Sequence, residues 1–101
     1  MTINTKNENG TLTLQPEGWL DSLTSPELEL AVAEVSDFTA LVLDFDKLEY
    51  ISSAGLRVVV SAFKKAKDNN AEFSVTHVCS EIMNIFEMTK LNTKLNVIPK
   101  E

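Results

Sequence analysis

The chain has 101 residues, of which 44% are hydrophobic and 24% charged, the make-up of one small globular domain with a modest core. Its formal net charge of −6, from 15 acidic and 9 basic side chains, argues against nucleic acid or an anionic membrane as a direct partner, since both need clustered lysine and arginine. Cys79 is alone and cannot close an internal disulfide, MTINTKNENG does not read as a signal peptide, and no apolar stretch approaches the roughly 20 residues of a membrane span, so a cytoplasmic protein is expected.

Thr2 to Lys6 is strand-like, and Asn7 to Gly10 forms a turn in which Asn9-Gly10 suits positive φ. Thr11 to Gln15 alternates polar and apolar residues, the pattern of a half-exposed strand, so the two strands are expected to pair as a hairpin. Pro16 and Gly18 end or bend the second strand, and Trp19 to Leu23 reads as a connection. Thr24-Ser25-Pro26-Glu27 matches a capping box with proline in the first turn. Leu28, Ala31, Val32 and Val35 repeat at helical spacing, and Ser36-Asp37 closes that helix.

A short apolar run, Leu41-Val42-Leu43 with Phe45 at its edge, suits a covered strand. A polar turn from Asp44 to Glu49 leads into Tyr50-Ile51-Ser52-Ser53-Ala54-Gly55. From there Leu56, Val59, Val60 and Phe63 mark one helical face, widened by Val58 and Ala62. Lys64, Lys65 and Lys67 complement the helix dipole at its end, and Ser52 or Ser53 is the natural N-cap. Asp68 to Asn70 turns the chain into an alternating strand, Glu72 to Val78. Ser80 is placed to cap a third helix with Ile82, Ile85 and Phe86 on its apolar side, and a last strand is expected from Leu95 to Ile98. The order β-β-α-β-α-β-α-β implies an α/β domain with mostly parallel pairing and right-handed crossovers, plus an antiparallel hairpin at the start.

The start of the second helix is the functional candidate. A first helical turn presents unpaired N–H groups and partial positive charge, so a phosphate carried on a serine there is tolerated. Gly55 leaves room for another backbone to come close. Catalytic chemistry finds little support. Asp44 and Asp46 stand near the end of a strand, where a receiver-like domain accepts phosphate on aspartate. Such a site needs acidic residues after an early strand and a lysine after a late one. Here only Glu17 and Asp21 are available early, and no lysine follows His77-Val78. His77 and Cys79 have no second pair to complete a zinc site, nothing in the spacing brings His77 to Ser52 or Ser53 as a triad, and three unclustered glycines make no phosphate-cradling loop. No enzymatic activity, metal or cofactor is expected.

Three segments resemble, in the same order, the STAS family, the anti-sigma factor antagonists: Gly18 to Leu28, Tyr50 to Val58 and Ile85 to Leu91. The resemblance implies a single STAS-like domain over residues 1–101, with a mixed β-sheet, an N-terminal hairpin and three helices. It also implies a phosphorylation-controlled binding module. The phosphorylated serine of such proteins lies two residues before the loop glycine, which is Ser53 here. The unphosphorylated form would bind an anti-sigma factor with serine-kinase activity and release a sigma factor, and a serine phosphatase would reverse the modification. Asp21 matches the aspartate of the first loop, which contributes to the partner-binding and kinase-recognition surface; Trp19, Ser52, Gly55 and Leu56 complete the surface expected around Ser53.

The chain departs from the family pattern at three places. Trp19 stands where a charged residue is common; it reads as packing under the helix start, with a surface anchor for a partner as the alternative. Ser52 replaces a frequent aspartate, and Lys90 a frequent glycine near the end of the third helix. Two other readings remain open on sequence: an STAS-like regulatory subunit of a membrane transport complex, and an aspartate-phosphorylated domain using Asp44 or Asp46.

Overall fold

The computed structural model describes residues 1–100 and contains, among them, seven strands and three helices. Strands β1 (Ile3–Glu8) and β2 (Thr11–Pro16) pair antiparallel. Asn9 and Gly10 join them at φ 52° and 83°, the two positive values that a two-residue hairpin turn requires. Strand β2 then pairs parallel with β4 (Ala40–Asp44), β4 with β6 (Glu72–Val78), and β6 with β7 (Val97–Pro99), giving the order β1-β2-β4-β6-β7. The long connections hold helices α1 (Ser25–Glu34), α2 (Ser53–Asp68) and α3 (Ser80–Met88).

Two strands were not expected. Gly18–Leu20 (β3) and Leu48–Ile51 (β5) pair parallel as a separate two-stranded sheet, with Trp19 opposite Tyr50 and Leu20 opposite Ile51. Part of the expected connection therefore pairs with the end of the expected polar turn and the start of the helix-entrance loop, forming a small platform that leads into α1 and α2. The final strand lies at Val97–Pro99 rather than Leu95 to Ile98; Leu95 is fully buried in the turn before it.

The core lies where alternate strand residues meet the apolar helix faces. Leu12 and Leu14 of β2, Leu41 and Leu43 of β4, and Phe73 and Val75 of β6 are buried, and they join Leu28 and Val32 of α1, Val59 and Ala62 of α2, and Ile82 and Phe86 of α3. Strict alternation would turn His77 inward. Instead His77 takes φ 55°, the pairing with β7 shifts register, and Val78 returns to the core while His77 faces out. A bulge of this kind changes which face a side chain occupies without ending the strand.

Candidate functional site

The start of α2 sits on the ends of the small sheet. Ser52 is extended, at φ −97° and ψ 177°, and its Oγ accepts a hydrogen bond from the N–H of Gly55 at 3.3 Å. Its own N–H donates to the Leu20 carbonyl at 2.9 Å, which ties α2 to β3. Ser52 is therefore the N-cap. Ser53 is the first helical residue, its side chain exposed, and no acidic residue occupies that first turn to neutralise the positive end of the dipole. Gly55 is buried and Leu56 half-buried behind it.

The loop after β3 meets the same place. Asp21 Oδ1 accepts the N–H groups of Leu23 at 3.0 Å and Thr24 at 3.1 Å, while the Thr24 hydroxyl accepts the Asp21 N–H at 2.9 Å and donates to the Trp19 carbonyl at 2.7 Å. These donors hold the Asp21 carboxyl below its ordinary range: the Thr24 N–H contributes most, partial desolvation opposes it, and the Leu23 N–H and Thr24 hydroxyl add to the lowering. The capping box expected at α1 is not formed. Thr24 is helical at φ −98°, ψ −24° and makes no cap bond, because its hydroxyl is committed to Asp21 and Trp19. Glu27 is drawn instead to the terminal amine of Met1, 3.1 Å away. Ser80 likewise is not a cap: Cys79 occupies that position at α3 and Ser80 is already helical.

Trp19 is not packed under the helix. It is 59% exposed and lies against Tyr50, itself 45% exposed, with ring centroids 5.0 Å apart and planes at 44°. The sheet of β3 and β5 covers only one face, so Leu20, Leu48 and Ile51 go inward and the two aromatics outward. Trp19, Asp21, Tyr50, Ser52, Ser53 and Arg57 all line one open groove beside the start of α2. The structure thus gathers Trp19, Asp21, Ser52 and Ser53 and adds Tyr50 and Arg57, which are not among the surface residues expected from the sequence. Their adjacency depends on the pairing of β3 with β5, which neither segment announces locally.

The aspartates considered for other chemistry are engaged elsewhere. Asp44 accepts from Gln15 Nε2, the Asp46 N–H and His77 Nδ1, each at 3.0 Å, and Asp46 pairs with Lys100 at 3.1 Å. His77 lines a different groove, with Asp46, Thr76 and Lys100, so the single histidine does not approach either serine of the loop. Among the described residues no group of three or more His, Cys, Asp or Glu side chains is placed to hold a metal ion.

Residues 2–101 match the STAS domain, essentially the whole chain. This chain belongs to the STAS domain family. It is 28% identical over 82 residues to the anti-sigma-B factor antagonist of Listeria monocytogenes, an alignment covering 79% of this chain and 72% of that protein. It is 33% identical over 67 residues to the anti-sigma-F factor antagonist RsfB of Mycobacterium tuberculosis, covering 64% and 55% of the two. The crystal structure of an anti-sigma factor antagonist from Mycobacterium paratuberculosis superimposes with a TM-score of 0.85 over 97% of this STAS domain and 85% of that chain, at 26% identity. The strand and helix order expected from the periodicity of the sequence is the order observed, with the short β3–β5 sheet added. No helix among the described residues is long and apolar enough to cross a membrane.

Proposed function

We propose that this STAS domain is an anti-sigma factor antagonist: a cytoplasmic binding module, not an enzyme, that sequesters an anti-sigma factor while Ser53 is unphosphorylated. The observation that carries the reading is the placement of an exposed serine at the first position of α2, beside Asp21 and the exposed Trp19, in a chain whose relatives are named as antagonists of this kind. The partner is an anti-sigma factor with serine-kinase activity. It supplies the phosphoryl group from a nucleoside triphosphate, and a separate serine phosphatase removes it. Trp19, Asp21, Ser52 and Ser53 form the partner-binding surface, with half-buried Leu56 at its edge and buried Gly55 supporting the start of α2 from within.

Control needs no refolding. A phosphoserine adds roughly −1.5 to −2 charge at the contact surface. The start of α2 tolerates that charge, whereas a closely packed or acidic partner surface does not. Of the two serines expected as the N-cap, Ser52 fills that position, so Ser53 is free to be modified without loss of the cap bond.

The test has two parts. Phosphosite mapping of the protein from its own cells should place an acid-stable phosphate on Ser53. Titration with a candidate anti-sigma kinase should show wild-type and Ser53→Ala binding and Ser53→Asp binding more weakly. Equal binding by all three would refute the switch, an acid-labile phosphate would point to aspartate, and recovery with an ATPase subunit instead of a kinase would favour a transport complex.

A further inference from the structure

We infer that Arg57 holds a phosphate on Ser53 within the folded chain, so that modification creates a fixed phosphate–guanidinium pair rather than a mobile surface charge. This rests on Ser53 being the phosphorylated residue.

Arg57 is the only arginine of the sequence, in a chain whose net charge is −6. It is exposed, and among the described residues it makes no ion pair. An unpaired guanidinium on so acidic a chain is a cation in reserve. It follows Ser53 by one turn of α2, the spacing at which helical side chains are neighbours, about 5–6 Å apart at Cβ. Both residues line the groove beside Trp19, and both also line a second groove of about 720 Å³ between the starts of α1 and α2.

The other charged groups on these two grooves are Asp21, Glu29 and Lys64. The two carboxylates repel a phosphate. Lys64 lies just over three turns beyond Ser53, roughly 16–17 Å along the helix at 1.5 Å per residue, and cannot reach it. Arg57 is the cation within reach. Its planar fork also matches two phosphate oxygens at once, which a lysine does not.

The wall of the second groove supplies an independent sign of unmet demand. Ser25 is 4% exposed, and its Oγ has no hydrogen-bond partner among the described residues. Its neighbour Pro26 offers no N–H. Ser25 thus brings a buried hydroxyl without a partner to the wall of the groove that Arg57 also lines, while the N–H groups of Ser53 and Ala54 precede the first intrahelical bonds of α2. A phosphate brings three strong acceptor oxygens to this place.

The experiment uses protein with phosphoserine installed at position 53 during translation, which removes any need for the kinase. The second ionisation of the phosphate is followed by phosphorus NMR in the otherwise wild-type chain, in Arg57→Lys and in Arg57→Gln. The midpoint in the wild-type background is expected about half a pH unit below that in Arg57→Gln, with Arg57→Lys between them. Because the chain has one arginine, its Nε–H resonance is unambiguous, and it should move on phosphorylation of the wild-type chain. Identical midpoints, or an Arg57 resonance that ignores the phosphate, overturn the inference. The titration reports on the pair even if Ser53 proves unmodified in cells, so the two proposals fail separately.

Discussion

The carbonyl oxygen of Leu20 lies 2.7 Å from the point where a β-carbon on Gly55 would stand, and Ile51 Cγ1 lies equally close. That carbonyl also accepts the Ser52 N–H, so the glycine lets β3, β5 and α2 meet at one place. Backbone cannot give way as a flexible side chain can. Gly55→Ala is therefore expected to lower stability by about 1–3 kcal/mol through overpacking, and to weaken partner binding by displacing the start of α2. Urea unfolding of the variant checks the first expectation; an unchanged midpoint would show that the junction is looser than these distances imply.

The two serines should separate in a stability measurement. Ser52→Ala removes the cap bond to Gly55 and is expected to cost about 1 kcal/mol. Ser53→Ala changes an exposed residue without a cap role and should stay within about 0.5 kcal/mol of wild type. Denaturant titrations of the two variants side by side decide the matter, and the reverse ranking would reassign the cap.

Asp21 gives a pH dependence of known sign. Its carboxyl is held below the ordinary value in the folded chain by the Thr24 N–H first, then by Leu23 and the Thr24 hydroxyl. A depressed folded value means that the stabilisation is present above the unfolded value of about 3.9 and is lost as pH falls through the folded one. Asp21→Asn should therefore be less stable than wild type at neutral pH, with the gap closing on acidification below about pH 4. Thermal melts across that range are the measurement, and a gap that persists at the acid end would assign the effect to shape and not to charge.

Lys90 ends α3 at φ 60°, with the Leu91 N–H bonded back to the Phe86 carbonyl at 2.9 Å and its own N–H to Glu87 at 3.1 Å. This is the Schellman arrangement, whose left-handed position favours glycine. Lys90→Gly is expected to raise stability by about 1 kcal/mol, which in a domain of this size moves the melting temperature up by roughly 4–8 °C. A fall on substitution would mean that the lysine side chain contributes something its exposed position does not suggest.

What the sequence disclosed and what it withheld follow from the range of the interactions. The hairpin was legible because Asn9-Gly10 encodes its own turn, and α2 because Leu56, Val59, Val60 and Phe63 carry a full helical period. The Ser52-Ser53 pair was legible as a helix start for the same reason, although the choice of cap needed the backbone angles. Strands β3 and β5 were not legible. Three and four residues cannot show a period, and their extended form comes from pairing with each other across nearly thirty intervening residues. The orientation of Trp19 was hidden with them, since a large apolar residue suggests burial until the single covered face of that sheet is known. The Thr24–Glu27 pattern misled because local spacing cannot reveal that Asp21 and Met1 compete for the same side chains.

The parallel pairing of β3 with β5 also bears on how the protein comes into being. Parallel strands cannot be joined by a tight turn, so no local hairpin can assemble this platform ahead of the rest. Trp19 and Asp21 come beside Tyr50 and Ser52 only through a crossover connection that carries α1 and β4. A nascent or partly unfolded chain carries every residue of the proposed recognition surface but not their arrangement. Under the proposed function, a kinase that reads this surface, and not merely the serine, would favour folded molecules over unfolded ones.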